Sequence, residues 1–273
     1  MKMFIPQCLL VAALFATPAA ATASCDVDAG YRQMYNLDFP GAHQMFLRCE
    51  SERQHDPLPH VSNAAAFLFS EFDRLHILEV ELFTDDSRFD ARKKNRADTA
   101  VRESFMSELR QSDTLAQTTL AANPNDRDAL LAQVLANGLR SDYAAMIEKR
   151  NLASLGYMKM SRKLAQHLLE LDPSCYDAYL AVGVENYLLG TAAAPVRWIL
   201  HMGGAETDKN AGVERLRLTA AHGRYLAPFA RLLLAVAALR DNDRPTARTL
   251  LAGLGREFPN NQLYGRELAR IPE

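Results

Sequence analysis

The chain predicts an all-α fold, a solenoid of helical hairpins with enlarged central units. Three observations point there. Apolar residues recur at intervals of three and four, and no segment longer than a few residues alternates apolar and polar as a half-buried strand does. Three helical segments close on related phrases: Leu120-Ala121-Ala122-Asn123-Pro124, Leu169-Glu170-Leu171-Asp172-Pro173 and Arg256-Glu257-Phe258-Pro259. Finally, the closing positions recur: Pro124 to Pro173 is 49 residues, Pro173 to Gly223 is 50, and Gly223 to Pro259 is 36. Recurrence at tens of residues is the mark of stacked helical units.

Taken in order, the elements begin after a targeting segment. Lys2 supplies a positive start, Cys8 to Phe15 is a short apolar run, and Ala21-Thr22-Ala23 has the form of a signal-peptidase site. Residues 1–23 are therefore expected to be a signal peptide, and residues 24–273 a single exported domain in the periplasm or outside the cell. Thr22 stands where a lipid-attachment signal before Cys25 would place a leucine, so a lipoprotein is the lesser expectation. The first hairpin runs from Asp26 to Asn36 and from Pro40 to about Arg53, turning at Leu37-Asp38-Phe39. Its ends bring Cys25 and Cys49 together, which predicts a disulfide and leaves Cys175 as a free thiol.

Pro57 and Pro59 are expected to separate that hairpin from a long helix over 62–83, and a further helix ends near Ala122. The cluster Arg92, Lys93, Lys94 and Arg96 is interspersed with Asp85, Asp86, Asp90 and Asp98, the pattern of a solvated surface. Asp126 can cap a helix to about Arg150, and a second helix spans 154–171. Ser174 then caps a helix over 175–189 that Gly190 stops. A short segment, Pro195 to Met202, precedes Gly203-Gly204 and a helix over 208–222, after which Gly223 reads as a left-handed C-cap. Two further helices, 226–239 and 244–257, and a capping helix over 262–270 complete the chain.

These residues resemble the tetratricopeptide repeat (TPR). Tyr179, Val182, Gly183 and Tyr187 match the large, apolar, small and aromatic series of its first helix. Ala247, Leu251 and Pro259 match its second, as do Ala42 and Phe46. Residues 179–224 are similar, more narrowly, to a region shared by tetratricopeptide-repeat protein 39, the inclusion-body-clearance proteins and bacterial TPR proteins of unassigned function. The resemblance implies a helical scaffold and carries no catalytic residues.

The chemistry-bearing motifs are absent: no H-E-x-x-H, P-loop, G-x-S-x-G or G-x-G-x-x-G occurs, and no C-x-x-C. His76 and Glu79 form an isolated H-x-x-E that no second motif completes. The formal net charge of −2 gives no field favouring nucleic acid. No enzyme, cofactor or metal is expected. The resemblance implies instead a concave face that binds a protein or peptide, with Asn137, Arg140, Tyr143, Asp177, Val184 and Tyr187 as candidates, joined by Arg197 and Trp198 from the inserted segment. The alternative is a peripheral envelope protein holding a lipid or other apolar ligand under the 190–206 insertion, with membrane contact at most peripheral.

Overall fold

The computed structural model describes residues 24–78, 97–190 and 208–272. Among these residues there are eleven α-helices and no strand. Their starts are set largely by aspartates, whose carboxylates accept the N–H groups that a helix start leaves unpaired. Asp26 accepts from Ala29 and opens α1 (Val27–Tyr35), and Asp38 accepts from Gly41 and opens α2 (Phe39–Glu52). Asp56 opens α3 (Pro57–Arg74), Asp98 opens α4 (Thr99–Ala122) and Asp126 opens α5 (Arg127–Asp142). After α6 (Asn151–Leu171) and α7 (Tyr179–Gly190), Asp208 opens α8 (Lys209–His222). Following α9 (Ala227–Arg240), Asp243 opens α10 (Arg244–Glu257) and Asn261 opens α11 (Gln262–Arg270). Each such cap is worth roughly 1 kcal/mol.

Four local expectations are revised. Pro57 and Pro59 do not separate elements; they lie in the first turn of α3, where a missing N–H costs nothing. The helix after Asp126 does not run evenly to Arg150 but passes into a π-helical turn over Tyr143–Ile147. Ser174 is not a cap: its own N–H and hydroxyl donate to Asp172, and a 3-10 turn, Tyr176–Ala178, precedes α7. Gly223 sits at φ −59°, not in the left-handed region. It is small because a Cβ there would lie 2.6 Å from the Thr219 carbonyl oxygen and 2.8 Å from Asp177 Oδ1. The signal peptide, the Arg92–Arg96 cluster, Glu79, Arg197 and Trp198 lie outside the described residues. No helix among those residues is long and apolar enough to cross a membrane.

Consecutive helices pack on one another along the whole array: α1 on α2, α3 on α4, α5 on α6, α7 on α8, α9 on α10, and α11 against α10. The α7–α8 crossing is backbone-close. A Cβ on Gly212 would lie 2.5 Å from the Tyr187 nitrogen, and one on Gly183 3.0 Å from the Gly212 oxygen. In the first hairpin Cys25 and Cys49 are disulfide-bonded, with Cα atoms 4.7 Å apart.

The array does not stay open. α3 is buried at every position from Pro57 to Ala66, so it is covered on all sides of its first turns rather than along one stripe. α1, α2, α4 and α5 pack around it, and Phe69 meets Phe229 of α9 with ring centroids 5.5 Å apart. The first helix reaches the last third of the chain. Tyr31 stacks on Tyr225 at 5.0 Å, and Tyr35 packs against Phe258 at 5.6 Å. The Tyr35 hydroxyl donates to the Tyr225 carbonyl (3.0 Å), and Asn261 donates to the Tyr35 carbonyl (2.8 Å). One continuous core therefore joins the two ends of the array and fills its interior with its own side chains.

Candidate functional site

The residues expected to line a concave groove fall into three separate places. Arg140 and Tyr143 face α4, while Asn137 bonds back along its own helix, α5. The Asn137 amide donates to the Gln133 carbonyl, the Arg140 guanidinium pairs with Asp113, and the Tyr143 ring stacks on Phe105 at 5.1 Å. Asp177, only 4% exposed, faces the 224–226 corner and accepts the backbone N–H groups of Arg224 (3.1 Å), Tyr225 (3.2 Å) and Leu226 (2.9 Å). Leu226 caps α9 without a side-chain acceptor, so Asp177 performs that capping from 49 residues away. Burial raises the Asp177 pKa, with the three N–H bonds opposing it. Val184 is partly exposed, and Tyr187 is buried where α7 crosses α8. The expectation of one open, tyrosine-bearing groove is revised accordingly: Asn137, Tyr143, Asp177 and Tyr187 are buried, and the array's interior is occupied by α3.

A different constellation assembles beside α3. Glu50 of α2, His60 of α3 and Glu108 of α4 bring one nitrogen and two carboxylate oxygens within 4.8 Å of one another. His60 Nδ1 lies 2.8 Å from Glu108 Oε2 and 3.6 Å from Glu50 Oε1. All three side chains are close to nine-tenths covered. Glu50 is held in turn by the Asn63 amide (2.9 Å), and Asn63 Oδ1 lies 2.6 Å from His43 Nδ1, whose ring packs on Phe67. The electrostatics follow from two carboxylates sharing a covered site. Burial, then the Glu108 charge, raises the Glu50 pKa. For His60, burial favours the neutral ring, but the Glu108 hydrogen bond and the Glu50 charge outweigh it and the pKa is raised. The His60 ring borders an opening of about 310 Å3 lined by Gln54, Ser107, Arg110, Gln111, Thr114 and Leu115. Chemically the set can hold a cation or share protons. The sequence did not reveal it, because three helices each contribute one ligand and no local spacing records the meeting. The one trace is a histidine inside the run from Leu58 to Ala66, whose only other polar members are Ser62 and Asn63.

Two further features bear on function. Cys175 is a free, half-covered thiol whose pKa burial pushes up to about 11, which leaves it a poor nucleophile. An apolar pocket lined by Met34, Phe69, Phe72, Phe229, Leu232 and Leu263 has a free volume of about 30 Å3, room for a single water and not for an acyl chain.

No family model matches the chain, and no curated protein does. A solved structure, that of a thermophilic TPR protein in Thermus thermophilus, is similar over 90% of this chain and 98% of its own, at 14% identity and a TM-score of 0.43. The chain is an all-α helical-repeat array, as its own consecutive helix packing shows without appeal to that likeness. The narrower similarity of residues 179–224 to the tetratricopeptide-repeat protein 39 group finds no counterpart in these comparisons.

Proposed function

We propose that this chain is an exported, non-enzymatic helical-repeat scaffold that binds a protein partner through an outer face rather than through its interior. One observation carries the reading. The first half of α6 turns Leu152 out to solvent at 86% exposure, with Leu155, Tyr157 and Met160 also exposed. Lys159 and Lys163 lie on the same face, and a Cβ at Gly156 would meet nothing within 4 Å. Exposed leucines and methionine in one cluster, rimmed by lysine, suit a polypeptide with apolar anchors beside acidic residues. Export is supported by Lys2, the apolar run and Ala21-Thr22-Ala23, and by a disulfide of the kind that oxidising compartments keep. With Cys25 Sγ bonded to Cys49, no thiol is left there for a lipid anchor.

The test is a photoreactive residue placed at Leu152 or Met160 in the native host, identification of what it captures, and measured affinity of the purified pair. One polypeptide captured from both positions is expected, and Leu152→Glu should weaken binding at least about tenfold, the effect of removing a single buried anchor. An affinity unchanged by Leu152→Glu in folded protein, capture of lipid in place of polypeptide, or no capture from either position would overturn the proposal.

A further inference from the structure

We propose that Glu50, His60 and Glu108 form a binding site for one divalent first-row transition cation, for which zinc is the probe. The geometry is already near what such an ion requires. Tetrahedral ligands at roughly 2.0–2.2 Å from zinc stand about 3.3–3.5 Å from one another. The two nitrogen–oxygen separations here are 2.8 and 3.6 Å, on either side of that spacing, and the three ligand atoms all lie within 4.8 Å of one another, so side-chain movements on the order of an ångström bring them to it.

The donor set selects the class of ion. One imidazole and two carboxylates suit zinc or manganese, whereas calcium and magnesium prefer oxygen alone. The supporting residues fit as well. Asn63 donates its amide to Glu50 Oε1 and so fixes that carboxylate, while its own oxygen is engaged by His43. Ligand carboxylates held this way are the usual outer arrangement of a metal centre. The three ligands come from α2, α3 and α4, elements fixed by the disulfide-bonded hairpin and by the buried first turns of α3. The opening beside His60 supplies an entry path, and its solvent side completes the coordination with water. Two facing carboxylates, close to nine-tenths covered, also need positive charge between them, which a divalent ion provides more fully than a single proton.

The experiment uses the purified chain, stripped with chelator and titrated with zinc by calorimetry, followed by X-ray absorption of the zinc complex. One zinc per chain is expected, with a nitrogen-and-oxygen coordination shell free of sulfur. His60→Gln and Glu108→Gln should each weaken binding by more than the roughly 10–100-fold that changes around a metal's ligands produce. Asn63→Ala should fall within that range, and Cys175→Ser and His167→Gln should leave it unchanged. Absence of stoichiometric binding would overturn the proposal and leave a proton-sharing cluster. Sulfur in the coordination shell, or undiminished binding in folded His60→Gln, would overturn it too. The absorption spectrum needs no variant, so the proposal stays refutable should a substitution fail to fold. None of these outcomes depends on the partner face of α6.

Discussion

Replacing Asp177 separates a structural role from a binding role for the same side chain. Its carboxylate accepts three backbone N–H groups at the corner where α9 begins, and Tyr225, one of the donors, is itself buried. Truncation to alanine leaves the Tyr225 and Leu226 donors covered without a partner, at about 1–3 kcal/mol for each unsatisfied group. Water can reach the third, on exposed Arg224. Against this stands the carboxylate's own desolvation, which is large enough to raise its pKa despite the three bonds. The balance predicts a loss of about 3 kcal/mol for Asp177→Ala. Asp177→Asn, which keeps one accepting oxygen and removes the buried charge, should lose about 1 kcal/mol. Urea unfolding followed by far-UV circular dichroism measures both. An Asp177→Ala stability within about 0.5 kcal/mol of wild type, the range of an ordinary surface substitution, would refute the capping role of Asp177.

Three other outcomes are expected. Gly212→Ala should lower stability by about 2 kcal/mol or more in the same assay, because its Cβ would lie 2.5 Å from the Tyr187 backbone nitrogen and neither helix can yield without moving the other. In chain lacking residues 1–23, labelling of the unreduced, unfolded protein should mark Cys175 alone. Removing the Cys25–Cys49 bond, which closes a separation of 24 residues, should cost about 3 kcal/mol, read as a lowered melting temperature in reductant. Asp142, at the start of the π-helical turn, makes no capping hydrogen bond, and burial raises its pKa to about 7. A raised folded-state pKa means the native state favours the protonated acid, so its ionisation destabilises the fold increasingly as pH rises from about 4 to 7. Asp142→Asn should therefore stabilise by about 2 kcal/mol at pH 8 and make no difference below pH 4, seen by repeating the unfolding curves across that range.

What was legible in the sequence was local chemistry. Asp126 as a helix start, the first hairpin with its cysteine pair, and the helical period each depend on neighbours within a turn or a hairpin. The departures arise where distant parts meet. Pro57 and Pro59 look like a break until Asp56 is seen capping the turn that contains them. Gly223 does close α8, but reads as a left-handed C-cap because nothing nearby announces that Asp177 will occupy the space its Cβ would need. Tyr187 and Asp177 look like interface residues for the same reason: aromatic and acidic side chains suit a groove until the α7–α8 crossing and the 224–226 corner cover them. The Glu50, His60 and Glu108 cluster lies further still from any local signal, since its members come from three helices.

Closure of the array is the claim on which the reassignment of the binding surface depends, and a double-mutant cycle between Tyr31 and Tyr225 tests it. These rings stack with centroids 5.0 Å apart although one lies in α1 and the other just before α9. Unfolding free energies of Tyr31→Ala, Tyr225→Ala and the double variant should reveal a favourable coupling of about 1 kcal/mol, as expected for packed aromatic pairs. Strict additivity, with a coupling under about 0.3 kcal/mol, would mean that the two ends do not meet and that the interior stands open.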